Sequence, residues 1–518
     1  MGQDGRYAIL FKDKDNTSFT LDNPLAYLSQ KSIDRRARNG VALSEEDFPV
    51  NLAYVEQVNR TGAKVLYTTR WLNGVVADLS MDELPAIESL PFVLSAQFVA
   101  PSKPASGGRK KRARQQKEVK VSVANQLQLA MLGLNDMHAD NVLGKGIAVG
   151  VFDSGFTGVN TASPFQHLFN EGRIQFSFDL VGFSDDVFQY DDHGTEVLSI
   201  MAANEPSVYQ GGAYRATYQL YVTEDVNTEF RIEEYNWLVA AEKADSAGVD
   251  IIHASVGYNL FDDPSMDYTI EQLDGKTAIV SLAAAKAFSK GIAVVVSAGN
   301  EGNNSWQLVT PPADAEGVLA IGAITGAGTL SNFSSKGPTA DGRIKPDLVA
   351  LGSGTAVVKA NGAIGTSSGT SFSAPLVTSL AVGLLEAFPD LTVAMLYEVL
   401  FSTASKGNAP DNLTGFGIPD YRSARDLLSG GETTNFTSSV VLYPNPATSN
   451  VVKIDIDVPI GRETAIRIYD VDGKLVYEAR RRVANLPMEI DLSTIASGLY
   501  LVKIESEGAI KTLRLVKL

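Results

Sequence analysis

No cysteine occurs among the 518 residues, and histidine occurs only at positions 138, 167, 193 and 253. The first absence removes disulfides, thiolate metal sites and a cysteine nucleophile together, so covalent catalysis would have to use oxygen or an amine. The four histidines include no HExxH and no His-x-x-x-His pair, which leaves a zinc protease unsupported. Basic charge is also scarce: 44 Lys and Arg stand against 60 Asp and Glu, for a net charge of −16, and only one short basic run, RKKRAR, exists. Nucleic acid is therefore excluded as a partner, because phosphate binding needs a basic face. No uninterrupted run of 18 apolar residues offers a membrane span. The start, MGQDGRYAILF, lacks a basic stretch followed by an apolar one and does not read as a signal peptide.

A hydrophobic share of 44% with 20% charged residues is that of folded globular protein, and the length predicts several domains. Residues 1–100 alternate strand and helix patterns, from RYAILF through the helical LAYLSQKSIDRRARNG to the strand VLSAQFVA, and predict a small α+β unit. Residues 101–120, rich in Pro, Gly, Ser and clustered Arg and Lys, cannot bury a core and read as an exposed, easily cut linker. From 121 to 428, apolar runs such as KGIAVGVFD, VDIIHASVG and IAVVVSAGN alternate with helices. Near-continuous apolar strands are what a parallel sheet covered on both faces requires, so a doubly wound, mostly parallel α/β domain is expected. After a Gly, Ser and Thr linker at 429–439, residues 440–518 turn all-β and predict a sandwich of about seven strands. The DVDG stretch within it reads as a hairpin turn rather than a calcium loop.

Polar landmarks sit where apolar strands of the α/β segment end, the position at which open parallel sheets place ligands. Asp153 closes KGIAVGVFD, His193 opens a helix in DDHGTEV, and Asn300 closes IAVVVSAGN. The stretch GTSSGTSFSAP, 365–375, leads into the helical pattern SFSAPLVTSLAVGLLEAF, so its serines lie at a helix N-terminus, where free N–H groups favour a developing negative charge. Gly365, Ser367 and Gly369 satisfy the G-x-S-x-G elbow of the α/β-hydrolases, but that triad runs Ser, acid, His, and every histidine here precedes the segment. The order Asp153, His193, then serine is the subtilisin order. Ser373 is expected in the first helical turn, with Pro375 tolerated there because first-turn N–H groups lack helical partners.

VFDSGF, DDHGTEV, VVVSAGNEGN, SNFSSKGPTADGRIKPDLVALG and GTSFSAP occur in one order, and on these motifs the chain resembles the subtilisin-like serine proteases, the subtilase family. The resemblance implies Ser371 as nucleophile, His193 as general base and acid, Asp153 as its orienting partner and Asn300 as oxyanion donor. It also implies Ser255, Val256 and Gly257 as one wall of the S1 pocket and Ser297, Ala298 and Gly299 as the other. Such small wall residues predict a roomy cleft. DSG stands where DTG is commoner, and Leu351 where a proline is frequent; neither position carries a reacting atom. The sedolisins share the serine motif but replace the histidine and asparagine by acids. His138, His167 and His253 are expected to be structural.

By the same resemblance, 1–100 looks like a subtilase prodomain, an intramolecular inhibitor, with cutting between about Ala100 and Val121 and Arg109 to Arg114 as the candidate site. The segment with VVLYPNPA and DLSTIASGLYLVKIES looks like a type IX secretion sorting domain, which implies export across the outer membrane of a Gram-negative bacterium; a carbohydrate- or protein-binding sandwich is the alternative. No cofactor is required for the chemistry, and structural calcium is implied by the family alone. Expected partners are protein or peptide substrates, the chain's own prodomain and the export machinery. A secreted serine endopeptidase made as a zymogen is the leading reading. A catalytically silent binding or adhesion protein on the same fold is the second.

Overall fold

The computed structural model describes residues 3–102, 117–118, 125–407, 409–429, 440–445, 447, 449–456, 463–470, 474–482, 487–506 and 509–517. The N-terminal unit is an antiparallel sheet in the order Lys64–Thr69, Gly74–Leu79, Gly5–Phe11, Val93–Pro101. The helix expected from about Leu25 begins only at Gln30, because Ser29 takes the N-cap and accepts the Ser32 N–H at 3.2 Å. A short 3-10 turn, Pro24–Ala26, fills the stretch before it.

The middle of the chain forms a seven-stranded sheet whose strands we number β1 (Ala148–Asp153), β2 (Ile174–Asp179), β3 (Thr217–Val222), β4 (Ile251–Ala254), β5 (Ala293–Ser297), β6 (Val318–Ile324) and β7 (Leu348–Leu351). Their order across the sheet is β7-β6-β5-β4-β1-β3-β2, and every pairing is parallel. All residues of β1, β4, β5, β6 and β7 are buried, as continuous apolar runs require of strands covered on both faces. The order reverses between β1 and β4, which opens a crevice beyond their carboxyl ends. Four helices matter to that crevice: α1 (His193–Ala202), α2 (Ile232–Ala247), α3 (Ile279–Ser289) and α4 (Thr370–Ala387).

α4 is long and apolar enough to cross a membrane, but 89% of it is buried and it packs on β4 to β7 as a core helix. It starts at Thr370, so Pro375 lies beyond the first turn and inside the helix, contrary to the expectation from sequence. The helix survives because the carbonyl four residues earlier finds another donor, described below.

The N-terminal unit sits on α2. Asp245, wholly buried in α2, accepts from Arg36 at 2.8 and 2.9 Å and also pairs with Arg35 and Arg70. Glu242, one turn earlier, accepts from the Thr69 hydroxyl at 2.6 Å and the backbone N–H groups of Arg70 and Trp71 at 2.9 and 3.0 Å. Within the linker, Lys117–Glu118 pairs antiparallel with Thr366 and Gly365 of the strand Ile364–Ser367, which leads into α4. Arg109 to Arg114 lie outside the described residues.

Among its described residues, the C-terminal segment carries seven strands in two antiparallel sheets, one of three and one of four, around a core that includes Ile454, Ile466, Ile490 and Ile504. The Asp470 N–H donates to the Lys474 carbonyl at 2.9 Å, closing the hairpin expected there. Residues 471–473 between them lie outside the described residues.

Candidate active site

Asp153, His193 and Ser371 are each delivered by the end of a regular element, and Asn300 by the loop that follows one. β1 ends in Asp153, which is fully buried, and the Ser154 N–H donates to its Oδ1 at 2.8 Å. α1 begins with His193, whose Nδ1 lies 2.6 Å from Asp153 Oδ1. Burial of both groups keeps water out of this pair, and an imidazole held through Nδ1 presents Nε2 toward the cleft. Ser371 is the second residue of α4, 7% exposed, and its hydroxyl donates to the Ser255 carbonyl at 3.5 Å.

Asn300 follows β5 and is exposed. Its Oδ1 accepts from the Thr370 N–H at 2.9 Å and the Thr370 hydroxyl at 3.1 Å. Two donors on one oxygen fix which end of the amide is which, so the Nδ2 end is the one left to donate beside the α4 N-terminus.

Asp153, His193, Asn300 and Ser371 all line one cavity of about 210 Å³, together with Ser154, Asp191, Glu224, Glu229, Ser255, Val256 and Gly257. The expected wall Ser255–Gly257 is thus part of it. Ser297, Ala298 and Gly299 lie behind Asn300 and do not line this cavity: Ser297 and Ala298 are buried, and the carbonyl of Ala298 accepts from Thr310 N at 3.2 Å. The lining carries four carboxylates and no lysine or arginine, so the crevice is acidic. A larger cavity of about 790 Å³ lies between the N-terminal unit and α2, lined by Tyr67, Arg70, Glu242 and Lys243 among others, away from these groups.

Sequence patterns miss two features that the fold brings in. His253, in β4, is fully buried, with Nδ1 2.8 Å from the Thr378 hydroxyl and Nε2 3.1 Å from the Ser255 hydroxyl. Burial pushes its imidazole down to about 3, against a smaller upward pull from Asp153. Ser255 in turn donates its hydroxyl to the Ser371 carbonyl at 3.1 Å. The second feature is the group Glu224, Glu229 and Glu233, whose carboxylate oxygens come within 4.8 Å of one another. Strand ends announce Asp153 and Asn300; nothing local announces that a histidine inside a strand will reach Ser255 from beneath or that loop glutamates will line the same crevice.

A family model described as the subtilase family matches residues 144–417, more than half of the chain. The chain belongs to the subtilase family of serine endopeptidases. In this subtilase, residues 6–118 match the peptidase S8 propeptide domain of Bacteroidota, and residues 441–517 match a secretion system C-terminal sorting domain. Serine protease AprX of Bacillus subtilis (strain 168) is 30% identical over 318 residues, 54% of this chain and 66% of AprX. Subtilisin of Bacillus pumilus is 28% identical over 276 residues, 52% of this chain and 87% of that protein. The MycP3 protease of the type VII (ESX-3) secretion system aligns at TM-score 0.49 and 21% identity over 62% of this chain and 94% of its own.

Proposed function

We propose that this subtilase hydrolyses peptide bonds through Asp153, His193 and Ser371, with Asn300 as oxyanion donor. The observation that carries the reading is the buried 2.6 Å contact between His193 and Asp153 at the rim of a cavity that Ser371 and Asn300 also line. Ser371 Oγ attacks the substrate carbonyl while His193 Nε2 takes its proton and then gives it to the leaving amine. Asp153 holds the imidazole through Nδ1 and stabilises the imidazolium. The tetrahedral oxyanion is received by Asn300 Nδ2 and the Ser371 N–H, at the end of α4 where unpaired N–H groups gather. Water then cleaves the acyl-enzyme by the same steps in reverse. The carbonyl of Ser255, which holds the Ser371 hydroxyl in the resting chain, must release it to His193 as substrate enters.

The N-terminal unit is read as an inhibitory prodomain released by cutting between 101 and 120, which makes the chain a zymogen. The clasp of Asp245 and Glu242 on Arg35, Arg36, Thr69 and Arg70 supports this, because it ties the unit to the catalytic domain through buried charge. The domain bounds 1–100, 121–428 and 440–518 belong to the same reading. So does export of the protein across the outer membrane of a Gram-negative bacterium by type IX secretion, with removal of the C-terminal sandwich. Calcium takes six to eight oxygen ligands. Glu224, Glu229 and Glu233 do not supply that shell, since Glu224 Oε1 already accepts from the Tyr258 hydroxyl at 2.6 Å and the Thr223 hydroxyl at 2.8 Å.

Labelling with a serine-directed fluorophosphonate tests the assignment. The processed chain should be labelled at Ser371, with labelling lost in Ser371→Ala and slowed strongly in His193→Ala. A processed chain that folds but takes no label would favour the silent binding protein.

A further inference from the structure

We propose that the cavity of about 790 Å³ between the N-terminal unit and α2 binds an acyl carboxylate, its chain along the apolar walls and its head group on Lys243, and that this ligand holds the two units together. The site shares no residue with the crevice that contains Ser371.

The space exists because two sheets end there. The strand Lys64–Thr69 is the outer strand of the N-terminal sheet, β2 is the outer strand of the seven-stranded sheet, and both contribute to the wall. Each is bulged at that point. Leu66 is unmatched between Val65, opposite Ala77, and Tyr67, opposite Val76; Gln175 is unmatched between Ile174, opposite Tyr218, and Phe176, opposite Gln219. A bulge breaks the alternation of a strand and re-aims its side chains. Leu66, Tyr67 and Phe176 come to line one cavity with Tyr221 and Val239. The two tyrosines have their hydroxyls occupied, Tyr67 donating to Asn236 Oδ1 and Tyr221 to Gln219 Oε1, both at 2.8 Å, so each offers its ring. Phe176 stays 38% exposed, apolar area that a ligand would cover.

Three charged side chains line the cavity, and two of them are committed. Glu242 accepts from Thr69 and from the N–H groups of Arg70 and Trp71, while the Arg70 guanidinium meets Asp245 and donates to the Ser246 hydroxyl at 2.7 Å. Lys243 is the third. Among the described residues no carboxylate forms an ion pair with it, and its ammonium lies 4.5 Å from the centre of the Phe178 ring. Burial lowers its pKa, against smaller upward pulls from Glu242 and Asp185, and a ligand carboxylate would supply an anion in contact. Sites of this size with mostly apolar walls and few polar groups are those of small molecules. An aliphatic chain asks only for apolar area, and its one anion matches the one uncommitted cation. Because the walls come from both units, such a ligand stabilises the docked state in proportion to its excess over Kd.

The test uses the full chain carrying Ser371→Ala, titrated calorimetrically with octanoate, decanoate and decyltrimethylammonium. Decanoate should bind one per chain, octanoate about tenfold more weakly, from about fourfold per methylene, and the cation not at all. Lys243→Met, which keeps the stem and removes the charge, should weaken decanoate by about tenfold or more, and Phe176→Ala, at an exposed position, by about fivefold. Decanoate at about a hundred times its Kd should slow proteolytic release of the N-terminal unit by up to about a hundredfold, and should not do so in Lys243→Met. No saturable binding by about 1 mM overturns the site. Decanoate binding unmoved by Lys243→Met, or equal binding of the cation, overturns the head-group assignment. One-to-one binding with an unchanged rate of release overturns the holding of the two units. None of these outcomes depends on whether Ser371 is a nucleophile, so failure here and failure of the hydrolase reading are separate results.

Discussion

The hydroxyl of Ser255 donates to the carbonyl of Ser371 at 3.1 Å, the carbonyl that Pro375, four residues on and without an N–H, cannot serve within the helix. The residue proposed as nucleophile is therefore held at both ends by one wall residue: Ser255 gives a proton to its carbonyl and accepts one from its hydroxyl. Ser255→Ala should lower stability by about 1–3 kcal/mol, the cost of an unpaired buried acceptor. Adding Pro375→Ala returns a helical N–H to that carbonyl, so the double variant should recover part of the loss. Denaturant unfolding of the four chains gives the coupling; strictly additive losses would mean that the two donors do not serve one acceptor.

Asp153→Asn should leave the fold intact and reduce kcat by about 10⁴-fold, since an amide no longer stabilises the imidazolium and selects the wrong tautomer. KM should change little. Steady-state kinetics on active-site-titrated protein decide this, and a loss below tenfold would detach Asp153 from the mechanism.

Asn300→Ala should cost roughly 10² to 10³ in kcat with substrate binding nearly unchanged, a magnitude taken from the oxyanion asparagine of subtilisin itself. Turnover within about twofold of the parent would remove the oxyanion role.

Asp245→Ala strands the buried Arg35 without its anion and leaves Arg36 with Asp47 alone. Breaking a buried ion cluster from one side costs about 3–5 kcal/mol, so the N-terminal unit should detach at lower denaturant than the catalytic domain unfolds. Limited proteolysis of the Ser371→Ala chain, with and without Asp245→Ala, reads this directly. Equal resistance of the two chains would show that the clasp contributes nothing to docking.

His253 sets a pH dependence of known sign. Its imidazole titrates at about 3 in the folded chain against an unfolded value of about 6.5, so the unfolded chain binds the extra proton between those limits. Its stabilising contribution is complete above pH 6.5 and declines as pH falls toward 3. The buried carboxyl of Glu234, pushed by burial up to about 7, acts in the opposite sense, contributing most below pH 4.5 and less as pH rises through 7. His253→Gln should therefore flatten the fall in thermal midpoint on acidification from pH 7 to pH 4, relative to the parent. An unchanged slope would mean that His253 is not the group that titrates on unfolding.

Much of the fold is legible in local pattern. Continuous apolar runs such as IAVVVSAGN can be stable only as strands covered on both faces, and parallel strands place the groups that end them at one edge. That logic brings Asp153 and Asn300 to one edge of the sheet from sequence alone. The place of Pro375 is misread because a helix start is fixed by where Thr370 meets Asn300, 70 residues away in sequence, and not by the proline's own neighbourhood.

By itself the sequence determined the chemical order of this protein: acid, then histidine, then serine, with no cysteine and no later histidine to permit another arrangement. Those are facts of identity and order, which a chain carries whether folded or not. Only the tertiary structure decided which donor replaces the N–H missing at Pro375 and that the Arg70 guanidinium would meet Asp245, 175 residues on. These depend on contacts across large sequence separation, which periodicity and propensity do not encode and which sheet order and close packing settle.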